Sequence, residues 1–284
     1  MPVNVNDLPG RIRQIVNHVA PLHAEADVPI EHHRRLSNDA WNLLLYVRRH
    51  LGEATTYGAV LERHLYQLRR MVLLNLIEAF ERFLKELAAV CVDHVARRVP
   101  DDRLDKVSKG SGIASHFAAA TIGRAVCESL NWLDCDEINE RFRRILAPPY
   151  EVGSFYVFPR ANQQPAALRD RLETARTIFQ LRHTLAHNLG VITASDALKL
   201  RLLTRGPVEE NQLLLPTHGD VWYVKLWLAE TVDKVNAEVA TTLADLLTHL
   251  HGQDATLLVP GDVATELAQR FRVGVTVAGV AAAP

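Results

Sequence analysis

Apolar residues in this chain recur mostly at every third or fourth position, the spacing of one buried face on an α-helix. The longest such run extends from Tyr57 to Arg98, where Leu61, Leu65, Leu68, Val72, Leu76, Phe80, Phe83, Leu87 and Val90 trace a seam that Pro100 closes. A second runs from Asp220 to Leu250 and is lined by Val224, Trp227, Val232, Val235, Val239, Leu243, Leu246 and Leu250. A third occupies Pro165 to His187, followed by Asn188 and Gly190, both suited to a left-handed helix cap. Shorter helices are predicted over 113–130 and 136–146, after Ser195, and near 263–271. Asn38 or Asp39 is expected to cap another through His50.

Between these runs, "APLHAEADVPIEHH" reads as a surface connector and 101–112 as a polar loop. Residues 147–165 read as a long loop rich in proline and aromatics. A short strand is expected at Gln212–Leu215, and the chain beyond 271 is expected to fray. The predicted fold class is all-α, an antiparallel helical bundle with a small irregular or β insertion after the 165–187 helix. The predicted division is an N-terminal helical extension over 1–56, the bundle over 57–252, and a short helix with a flexible tail over 253–284.

Composition narrows the class. With 284 residues, 48% hydrophobic and 23% charged, the chain can bury a sizeable core. A net charge of −1 excludes a strongly basic nucleic-acid protein but permits a local basic groove. Of the 32 basic residues 26 are arginine, the side chain best shaped for bidentate phosphate contacts. The three cysteines form no CxxC pair, which fits a reducing compartment. No signal peptide or apolar run of bilayer-spanning length is legible, so a soluble cytoplasmic protein without a membrane segment is expected.

Candidate chemistry concentrates in "LRHTLAHNLG", Leu181–Gly190. On a helical wheel Leu168, Leu172, Ala175, Phe179 and Ala186 share one arc, and Arg182 falls inside it. His183 and His187, four apart, stack on its edge. A buried arginine needs an anion. One source is a carboxylate of the 57–98 helix, where Glu78, Glu81 and Lys85 share a stripe. The other is a ligand phosphate. His183 and His187 also have the spacing of two zinc ligands, but Thr184 stands where a catalytic glutamate would be needed, and no metal or cofactor is expected.

The stretch "LRHTLAHNLGVIT" resembles the signature of the HEPN superfamily, whose ribonuclease members carry R-x4-6-H near a helix end with a polar residue after the arginine. Here those positions are Arg182, His183 and His187, and Asn188 with Gly190 is similar to the family's ending. Glu81 and Lys85 in "NLIEAFERFLKEL" resemble its E-x3-K element. A second R-x4-H, Arg13 to His18, lacks these accompaniments.

The resemblance implies a metal-independent endoribonuclease in which an RNA 2′-hydroxyl attacks its neighbouring phosphate to give a 2′,3′-cyclic phosphate. Arg182 would stabilise phosphoryl charge and His187 would transfer a proton, the helix end tilting it toward the general acid. His183 and Asn188 would position the phosphate or orient the motif. The resemblance also implies a homodimer, RNA as partner, a toxin or phage-defence role, and an antitoxin or nucleotidyltransferase as the class of restraining partner. The rival reading is a non-catalytic binding or dimerisation module in which Arg182 pairs with Glu78 or Glu81.

Two further features carry weaker expectations. The His32, His33, Arg34 and Arg35 cluster reads as a solvated loop edge, as do Arg48–Arg49, Arg69–Arg70 and Arg143–Arg144. Tyr150, Phe155, Tyr156 and Phe158 either stack on bases or pin the long loop to the bundle, the second being favoured.

Overall fold

The computed structural model describes residues 28–51, 58–96, 121–128, 130–146, 155–159 and 166–284, together with Gln14 and Arg98. Expectations for 1–27, the 101–112 loop and most of 147–165, and with them Arg13, His18 and Tyr150, lie outside the described residues. The fold is all-α. Its helices are α1 (Pro29–Leu51), α2 (Gly58–Ala96), α3 (Ile122–Glu128), α4 (Cys135–Leu146), α5 (Ala166–His187), α6 (Ala194–Thr204), α7 (His218–Gln253) and α8 (Pro260–Phe271). A hairpin of β1 (Val275–Val277) and β2 (Val280–Ala282) follows.

Helix α2 forms the axis of the core. Its seam residues Leu76, Phe80, Phe83 and Leu87 are wholly buried, and α7 packs on it, with Val235, Val239 and Leu243 wholly buried in the same core. The apolar stripe read from sequence is buried from Val72 to Leu87 on α2 and from Val232 to Leu250 on α7, while Leu65, Leu68, Val90, Val224 and Trp227 are half-buried. Phe80, Phe158 and Phe179 bring α2, the 155–159 segment and α5 together, with ring centroids 6.3–6.4 Å apart. Asn139 fixes that segment through both amide atoms, donating to the Phe158 carbonyl and accepting its N–H at 2.8 Å each. Phe158 thus pins the 155–159 segment to the bundle.

The first helix starts earlier than its polar residues suggested. Asn38 and Asp39 lie inside α1 and cap nothing, because Pro29 opens the helix with its φ already set. His32 and His33 are not a solvated edge: they are 8% and 2% exposed. His32 Nδ1 sits 2.9 Å from both oxygens of buried Glu86, which a guanidinium nitrogen of Arg82 also approaches to 2.6 Å. The His33 ring lies edge-on to Phe83 with neither nitrogen partnered. Burial, then the charges of Lys225, Arg34 and His32, pull its pKa down to about 4.

Gly123 lets α3 rest directly on α2: a Cβ there would fall onto the backbone carbonyl of Ala89. Its N–H donates to Asp93 Oδ1 at 2.8 Å. The chain end does not fray as expected. Residues 275–282 pair in antiparallel register, Val275 with Ala282 and Val277 with Val280, around a two-residue turn at Ala278 (φ 47°) and Gly279 (φ 82°). Val277 is fully buried, and the Ala278 N–H donates to Thr248 Oγ1 at 2.8 Å. The three cysteines are free and buried. Burial pushes the Cys127 and Cys135 thiols up to about 12 and raises Cys91 as well. Among the described residues no helix is long and apolar enough to cross a membrane.

Candidate active site

Helix α5 delivers the three basic residues to its C-terminal end. Arg182 is half-buried, while His183 and His187 are exposed. Nη1 of Arg182 lies 3.3 Å from His187 Nε2. A guanidinium can only donate, so the Nε2 lone pair is the acceptor in this pair. The rings of His183 and His187 stand 4.9 Å apart. Further up the same side chain, Arg182 Nε is shut off from solvent and has no hydrogen-bond partner among the described residues.

The other arginines of α5 with described side chains behave differently. Arg171, 6% exposed, forks onto both oxygens of Glu238 at 2.8 and 2.9 Å. Arg176 pairs with Asp136 at 2.7 Å. Among the described residues Arg182 pairs with no carboxylate. The fold neutralises two of these cations and leaves the third facing a histidine.

What holds the motif is a shell that sequence reasoning largely missed. Asp196, 1% exposed, accepts Asn188 Nδ2 at 2.7 Å and Gln180 Nε2 at 2.8 Å. It also closes the capping box of α6 with Thr193. Burial alone would raise its pKa, but the Thr193 and Asn188 hydrogen bonds and the His183 charge outweigh that and hold it below the ordinary value. Asn188 therefore acts by tying the end of α5 to α6. The left-handed cap falls on Leu189 (φ 53°) and Gly190 (φ 90°) rather than on Asn188. A Cβ at Gly190 would sit 2.7 Å from the Tyr66 hydroxyl. The strand expected at Gln212–Leu215 is reduced to a single isolated bridge, Val191 to Leu213, flanked by Ile192 N–H to Gln212 O and Leu214 N–H to Gly190 O at 2.8 Å.

From α2 the contributors are Arg70, whose Nε donates to the Leu185 carbonyl at 3.0 Å, and Tyr66. Arg69 similarly reaches the Pro216 carbonyl at 3.3 Å, so this arginine pair is not merely solvated. Glu78, Glu81 and Lys85 do not join the site. Because Phe80 packs on Phe179, the 81–85 turn lies level with the middle of α5, below the motif. There Glu81 and Lys85 pair with each other at 3.1 Å. Glu78 borders a separate groove of about 450 Å³ shared with Leu36, Asp39 and Leu43 of α1. Among the described residues no group of three or more His, Cys, Asp or Glu is arranged to hold a metal ion.

These features define an all-α protein with an arginine–histidine pair presented at a helix end. Comparison with protein-family models, with curated proteins and with solved structures finds no match.

Proposed function

We propose that this protein is a metal-independent endoribonuclease of HEPN type, working in the cytoplasm as a homodimer in a toxin or phage-defence role. The carrying observation is the contrast on α5: Arg171 and Arg176 are neutralised by carboxylates, whereas Arg182 meets only His187 at 3.3 Å among the described residues. A cation left unpaired beside a titratable ring suits an anionic substrate whose reaction moves a proton.

In the first step the 2′-oxygen bonds to phosphorus, the bond to the 5′-oxygen breaks, and His187 Nε2 takes the 2′-hydroxyl proton. The lone pair aimed at Arg182 suits this base role, in place of the general-acid role expected from the helix end. The Arg182 fork turns from His187 to the phosphoryl oxygens as negative charge grows there. Protonated His183, its ring 4.9 Å away, supplies the proton to the leaving 5′-oxygen. The products are a 2′,3′-cyclic phosphate and a 5′-hydroxyl.

The binding-module reading requires Arg182 paired with Glu78 or Glu81, and neither carboxylate lies against it among the described residues. Incubation with RNA in excess EDTA should yield cyclic-phosphate ends, and His187→Ala should yield none. Equal cutting by both proteins, or by neither, sinks the proposal.

A further inference from the structure

Beside the motif, α4, α5 and α6 enclose a cleft of about 500 Å³ that His183 borders and Arg182 and His187 do not. Its axis follows α5 from His183 through Gln180 to Arg176, seven residues or about 10 Å at the helical rise. Helix α6 runs back along it, because Asp196 bonds Gln180 at one end while Arg205 reaches Glu173 at 3.4 Å at the other. Lys199 therefore lies between these two ties, and Leu202 and Leu203 nearer the Arg176 end.

The two ends differ in chemistry. Lys199 is exposed and has no ion pair among the described residues, so its positive charge is available to an anion in the cleft that His183 also borders. At the far end Arg176 is already neutralised by Asp136 at 2.7 Å. Beside that ion pair Leu133, Leu202 and Leu203 supply an apolar wall, and Leu202 lines it while 73% exposed, which core packing does not explain. At that end Asp134 uses Oδ1 to accept the N–H groups of Asp136 and Glu137 at 2.9 Å each. Its Oδ2 carries no hydrogen bond among the described residues, so it can accept one from a ligand in the cleft. An anion-binding end, an apolar slot and an acceptor at the rim match the phosphate, base face and base edge of one nucleotide. Guanine best fits the rim, since its N1–H and N2–H groups are adjacent donors.

Building on the ribonuclease reading, we propose that this cleft seats the nucleotide flanking the scissile phosphate, with its phosphate at His183 and Lys199 and a guanine base against Leu202 toward Asp134. The site thereby sets a preference for guanosine at the cut.

Calorimetric titration of the full chain with the four nucleoside 3′-monophosphates tests this, with RNA cleavage measured in parallel. Guanosine 3′-monophosphate should bind tightest. Lys199→Glu and Leu202→Glu, both at exposed positions, should weaken it roughly tenfold or more. Asp134→Asn, which keeps a capping side chain, should level the four bases. Binding unchanged in Lys199→Glu, no preference among bases, or no binding at all overturns the cleft proposal even if RNA is cut. Binding that depends on Lys199 in a protein that cuts no RNA supports the cleft and removes the ribonuclease reading.

Discussion

A buried N–H with no acceptor costs roughly 1–3 kcal/mol, and Arg182 Nε has no partner among the described residues, so hydrogen bonding by this Nε is not what places the guanidinium there. Arg182→Lys keeps the charge but removes the planar fork. Cleavage should fall about 100-fold while the melting curve stays in place, and a lysine variant that cuts at the wild-type rate would remove Arg182 from catalysis. His33 makes a different prediction at this scale. Its pKa is about 4 in the folded chain against an ordinary 6.5, so the native state binds fewer protons between those values. Stability is therefore full above about pH 6.5 and falls as pH drops toward 4, by roughly 3 kcal/mol in all. His33→Leu should flatten that dependence in urea titrations at pH 7, 6 and 5. A slope equal to wild type would locate the acid sensitivity elsewhere.

At the scale of elements, the meeting of α3 with α2 depends on one missing methyl group. Gly123→Ala forces a Cβ onto the Ala89 carbonyl, and backbone cannot swing aside as a side-chain tip can. We expect a loss of at least 1–3 kcal/mol, typical of overpacking and read from denaturant midpoints; an unchanged midpoint would mean that α3 is loosely held. Helix type was legible wherever an apolar seam ran for several turns, as in α2 and α7. It failed where polar side chains entered the core: His32 looked like loop until Glu86 supplied its partner. The terminal hairpin was hidden because its turn uses Ala278–Gly279 in place of the Asn-Gly that usually announces one. In the site, periodicity located Arg182, His183 and His187 on their helix. It gave no hint of Asp196, since a residue that tethers one helix end to the next follows no period.

For the molecule as a whole, the relation between core and site is one of support from beneath: buried aromatic packing sets α5 against α2, and the motif stands where that packing ends. The three thiols lie within this packed interior, and burial holds them far from the thiolate form. Each one becomes reactive only when the region around it opens. A thiol reagent such as DTNB added to native protein should react slowly, and denaturant should accelerate all three. Fast labelling without denaturant would show that the interior breathes more than its packing implies. The protein thus carries three built-in reporters of its own unfolding, silent while the core is shut and exposed when it opens.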